Sequence, residues 1–168
     1  VRANALHELP EKTGGEAVMG IRVLHTGDLH IGSFPGPEVG GENARYLDIC
    51  KCLDALVAGA KKQQPGIAVI AGDIFHQARV WSDRGLKEQQ TAVKFLRELA
   101  AICPVVVMRG TPNHDSEQQF STLANTFEAS GEVKIITEPQ VAKIYTGAWG
   151  WVNVACVPGF DRGYYRAK

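Results

Sequence analysis

The stretch VVVMRGTPNHDSEQQF, Val105 to Phe120, opens as an apolar run and breaks off into Gly110, Pro112, Asn113, His114 and Asp115. A short apolar run bounded by turn residues reads as a buried strand. Directly after that strand, an amide, an imidazole and a carboxylate stand side by side. Such a group is either a polar turn that caps the next helix or the holder of a metal ion and a phosphate. The other strand ends decide between the two.

Upstream, IRVLHT reads as a strand that runs into GDLH, with Asp28 and His30. GIAVIAGD is a second strand, nearly all apolar, as expected for a parallel sheet covered on both faces. It runs into GDIFH, with Asp73 and His76. Leu47, Cys50, Leu53, Val57 and Ala60 recur at three- and four-residue spacing and predict a helix from about Glu42 to Lys62. Leu86, Val93, Leu96, Leu99 and Ala100 mark a second helix, and Phe120, Leu123 and Phe127 a shorter third. VKII, VAKIY and WVNVACV then read as further strands. Strands alternating with helices predict an α/β fold with a largely parallel sheet. In such sheets ligands collect outside the carboxyl ends of the strands, so the three polar motifs converge on one edge.

Composition sets the frame. At 168 residues the chain is long enough for one domain with a sizeable core. Its 45% hydrophobic and 21% charged content is that of a soluble globular protein. Eighteen basic and eighteen acidic residues cancel, so any phosphate must be met by a local patch rather than by bulk charge. No apolar run approaches the roughly 18 residues that span a bilayer, and no leader pattern opens the chain, so it reads as cytoplasmic with no membrane association. Cys50, Cys52, Cys103 and Cys156 form no CxxC pair and read as buried thiols rather than a zinc site. Residues Val1 to Val18 lack periodicity and read as a tag or disordered arm, and 19–168 as the domain. His25, inside the first strand, reads as a core residue, and Trp81 as packing beside the second motif.

Each motif alone is weak, since an Asp-x-His is commonly a turn or a cap. Together, at successive strand ends, Asp28, His30, Asp73, Asn113 and His114 read as a metal site. Carboxylate oxygen and imidazole nitrogen suit manganese, iron or zinc, and a carboxylate such as Asp73 can bridge two ions about 3.5–4 Å apart.

The motifs DLH, GDIF and NHD resemble the calcineurin-like metallophosphoesterase superfamily. More closely, HTGDLHIG, VIAGDIF and VVVMRGTPNHD resemble the SbcD-type DNA repair exonucleases, over about Met19 to Tyr165. The resemblance implies a two-sheet sandwich flanked by helices and two divalent metal ions, Mn2+ above all. It implies that Asp28 and His30 bind the first metal, that Asp73 bridges both, and that Asn113 binds the second. His114 would act as the phosphate-contacting general acid, with Asp115 orienting its ring. DNA and an SbcC-like ATPase are the implied partners, with homodimerisation left open. Arg109, and less specifically Arg45, Arg79 and Arg84, would meet the DNA backbone.

The sequence departs from that family in three places. Thr111 and Pro112 separate Gly110 from Asn113 where the family has a compact G-N-H-D. His76 stands where the family usually carries Asp, and reads as a neighbour of the site that contacts substrate, with direct ligation and a bystander role still open. No histidine follows His114, whereas the family completes both metals with later G-H and G-H-x-H motifs. The expectation is therefore an amino-terminal part of a nuclease, its carboxy-terminal part missing, holding at most one ion alone. A metallophosphatase for small phosphoesters or phosphoproteins, and a non-catalytic fragment for partner binding or dimerisation, are the alternatives.

Overall fold

In a computed structural model, which describes residues 20–78, 83–129, 131 and 133–160, the periodicities resolve into a small set of elements. These are β1 (Val23–Thr26), β2 (Glu38–Val39), β3 (Glu42–Asn43), α1 (Ala44–Gln63), β4 (Ile67–Ala71), α2 (Asp83–Ala100) and β5 (Val105–Met108). Then come α3 (Glu117–Phe127), β6 (Val133–Ile136), β7 (Gln140–Tyr145), a 3-10 turn at Gly147–Trp149, and β8 (Trp151–Cys156). The arm expected at Val1 to Val18, and Arg79 and Trp81, lie outside the described residues.

Four strands form one sheet in the order β1-β4-β5-β6, with every neighbouring pair parallel. Side chains alternate between the faces of a strand, so the apolar runs supply two surfaces at once. Leu24, Ala68, Ile70, Val105, Val107 and Val133 meet the three helices. Ile67, Val69, Val106 and Ile136 face the other way, against Ala142, Ile144 and Cys156 of the antiparallel hairpin β7–β8. The result is a layer of helices, a parallel sheet and a second, two-stranded sheet, which is the two-sheet α/β arrangement expected.

Helix ends are set by local chemistry. Asn43 caps α1 by accepting from the Tyr46 N–H at 3.1 Å, while its amide donates to the Phe34 carbonyl at 2.6 Å. Ser116 and Gln119 form a capping box at the start of α3, directly after the third motif.

Three expectations are corrected by packing. His25 is exposed, not a core residue. Alternation puts it on the hairpin side of β1, and the hairpin packs on β4, β5 and β6, one strand further in. Leu86 is 57% exposed, because α2 turns Glu88 inward in its place. Among the cysteines, all free, only Cys103 and Cys156 are buried, whereas Cys52 is exposed. Burial pushes the Cys103 thiol up to about 11. Among the described residues no helix is long and apolar enough to cross a membrane.

Candidate metal centre

The carboxyl ends of β1, β4 and β5 lie side by side because parallel neighbours end on one edge. Past the strands, the first two loops remain zipped. The Asp28 N–H donates to the Gly72 carbonyl at 3.0 Å, that of His30 to Asp73 at 3.0 Å, and that of Ile31 to Ile74 at 2.7 Å. Within this zipped segment Asp28 (φ 53°), His30 (φ 47°) and Asp73 (φ 49°) all take left-handed backbone. Only one other described non-glycine residue, Gln64, does so. Each such residue costs on the order of 1 kcal/mol, and clustering of such strain is a mark of functional sites.

The strain has a geometric product. One oxygen each of Asp28 and Asp73 and one ring nitrogen of His30 lie within 4.8 Å of one another. Nδ1 of His30 is buried and makes no hydrogen bond. Burial, then the nearby His114, holds the His30 pKa below its usual 6.5, which keeps the ring a neutral donor.

The close approach of the β4 and β5 loops requires two glycines. A Cβ on Gly72, whose φ is +82°, would stand 2.6 Å from Gly110 Cα. One on Gly110 would overlap the Asp73 backbone and carboxylate and the Asp115 carboxylate. The third loop then reaches back to the second. Thr111 donates to Asp73 Oδ1 through its N–H at 2.6 Å and its hydroxyl at 3.0 Å. Thr111 belongs to the insertion before Asn113, so the insertion positions the Asp73 carboxylate; the sequence offered no signal for this contact.

His114 enters beside His30, with ring centroids 4.5 Å apart. Its Nδ1 lies 2.7 Å from the His76 carbonyl, which only accepts, so Nδ1 carries the proton. Asp115 does not hold that ring. Buried to 1% exposure, it accepts from the Phe75 N–H through Oδ1 at 3.1 Å and from the Gly110 N–H through Oδ2 at 2.7 Å. The expected orienting role is thus taken by the His76 carbonyl, and Asp115 ties two loops together. Burial raises its pKa above the usual carboxylate value, against the opposing pull of these N–H groups.

His76 is part of the cluster. Its ring stacks on Phe34 with centroids 3.8 Å apart, and Arg45 sits over the Phe34 ring at 5.2 Å. Neither the stack nor Phe34 was legible in the sequence. Asn113 is exposed on the third loop, where its backbone carbonyl accepts from the Ala78 N–H at 3.1 Å. Arg109, expected at the DNA backbone, lines a cavity of about 320 Å3 with Glu117, Phe120 and Glu138. Arg84 is exposed on the first turn of α2.

The sequence profile of the calcineurin-like phosphoesterases matches residues 21–165, nearly all of the described chain. That family's chemistry implies divalent metal ions. The donors here fit such an ion: two carboxylates and an imidazole converge, and a buried ring nitrogen of that imidazole has no protein partner.

Proposed function

Because the chain belongs to the calcineurin-like phosphoesterase family, whose chemistry is metal-dependent phosphoester hydrolysis, we propose that it is a Mn2+-dependent phosphodiesterase acting on DNA, of the SbcD exonuclease type. The observation that carries the reading is the convergence of Asp28, His30 and Asp73 on strained backbone at one sheet edge. These three would hold a divalent ion. When bound, such an ion lowers the pKa of water and neutralises charge growing on the phosphate.

The chain's own residues do the rest. Thr111 fixes the Asp73 carboxylate. Anchoring of His114 Nδ1–H on the His76 carbonyl leaves Nε2 to exchange a proton with a phosphoester oxygen. DNA is favoured over a small ester by the wording of the three motifs. An SbcC-like ATPase is the partner this reading brings with it. Asp73 and Asn113 are the described residues that this reading gives to a second ion.

The test compares hydrolysis of linear duplex DNA, bis-p-nitrophenyl phosphate and a phosphoserine peptide in Mn2+, beside metal titration by calorimetry. DNA cleavage that Asp73→Ala abolishes together with Mn2+ binding supports the reading. Cleavage of the peptide or ester with DNA untouched overturns the substrate. Mn2+ binding with no hydrolysis of any of the three would favour a non-catalytic binding role.

A further inference from the structure

The carboxylate group is not the only convergence at this edge. One ring nitrogen from each of His30, His76 and His114 also falls within a 4.8 Å group, with a histidine from each of the three strand-end loops. Ring centroids are 4.5 Å apart for His30 and His114, 6.2 Å for His30 and His76, and 6.3 Å for His76 and His114. We propose that these three imidazoles form a separate seat for Zn2+, and that its occupation displaces Mn2+ from Asp28, His30 and Asp73.

Donor chemistry separates the two seats. Three neutral imidazoles suit zinc, copper or nickel, whereas a carboxylate-rich set suits manganese or magnesium. Three histidines with one open position are a known zinc arrangement. Two features prepare the rings for a metal. His114 donates Nδ1–H to a backbone carbonyl, the contact that commonly fixes the tautomer and orientation of a ligating histidine. His76 is clamped against Phe34 with an interplanar angle of 28°. The buried Nδ1 of His30 also lacks any hydrogen-bond partner, an unmet need that a metal would remove.

Exclusion follows from valence. A neutral imidazole has one lone pair in its ring plane, so His30 serves one ion at a time. Zinc at the three-histidine seat therefore takes His30 from the carboxylate seat and ties up His114 as well. This inhibitory consequence rests on the proposed Mn2+-dependent hydrolysis, but zinc binding itself does not.

Metal binding tests the two seats apart. Co2+, a spectroscopic stand-in for zinc, should give the intense visible bands of a tetrahedral site with the wild-type chain. Zn2+ added to the Mn2+-loaded chain should release free Mn2+, read by its paramagnetic resonance signal. His76→Ala should lose the Co2+ bands and at least about tenfold in Zn2+ affinity while keeping Mn2+ affinity. Asp28→Ala should do the reverse. His114→Ala is a second probe of the histidine seat, and circular dichroism checks each fold. Unchanged Zn2+ binding in both histidine variants, or Zn2+ and Mn2+ binding together without exchange, would overturn the proposal. Zinc also binds a mixed oxygen and nitrogen site more tightly than manganese. Mn2+ release by Zn2+ that persists undiminished in His76→Ala would therefore place the zinc on the carboxylate seat and overturn the proposal, whereas failure of the hydrolytic reading would leave the exchange intact.

Discussion

Replacing Asp115 with Asn changes neither size nor shape, yet it should destabilise the fold markedly. The carboxylate is 1% exposed and accepts one backbone N–H from each of two loops, Phe75 at 3.1 Å and Gly110 at 2.7 Å. An amide keeps one acceptor and turns an NH2 towards the second N–H. One hydrogen bond to a charged group, worth about 1.5–3 kcal/mol, is lost and a buried donor is left facing a donor. Relief from burying a charge offsets part of this, so the expected net loss is about 2–3 kcal/mol, a large share of a typical 5–15 kcal/mol. Urea unfolding followed by tryptophan fluorescence should show a lower midpoint at unchanged slope. The pH dependence has a definite sign. Burial raises the Asp115 pKa in the folded state, so its contribution is fully present below the ordinary value of 3.8 and declines as pH rises through the folded value. Asp115→Asn, which cannot titrate there, should lack this limb of the pH profile. An unchanged midpoint with a reduced kcat would refute this reasoning and return Asp115 to service of the His114 ring.

Two further outcomes rest on the same geometry. Gly72→Ala forces a left-handed Ala with its Cβ 2.6 Å from Gly110 Cα, so it should cost about 2–4 kcal/mol from conformation and overpacking together; a thermal midpoint within a degree of wild type would count against the close loop contact. With the His30 pKa lowered by burial and then by His114, the folded ring stays neutral just below pH 6.5 while the unfolded ring takes up a proton. Stability should accordingly fall as pH drops from 6.5 through the lowered value, His30→Ala should flatten that limb, and Mn2+ binding should survive below pH 6.5; half-loss of Mn2+ at or above 6.5 would contradict the shift.

Much of the molecule was legible in the order of residues, because the relevant periods are local. Leu53, Val57 and Ala60 must share a helix face, and a run such as Ile67–Ala71 must present apolar groups to both sides of its strand. Parallel strands must also end on the same edge, which is why the sequence alone brings Asp28, Asp73 and His114 together. Burial at an edge was not legible: His25 and Leu86 have the right local pattern, and only the hairpin's and α2's actual placement leaves them exposed. Within the site the limit is the same. Thr111 gripping Asp73, Asp115 bonded to the Phe75 and Gly110 N–H groups, and Phe34 stacked on His76 each join residues some 5 to 42 positions apart. Spacing within one motif cannot say which atom of another loop will arrive, nor that His30 will take a left-handed backbone to meet it. The residue types at the sheet edge come from sequence, and their partners come from the contact between loops, where hydrogen-bond geometry and excluded volume choose among the carboxylates, imidazoles and N–H groups within reach.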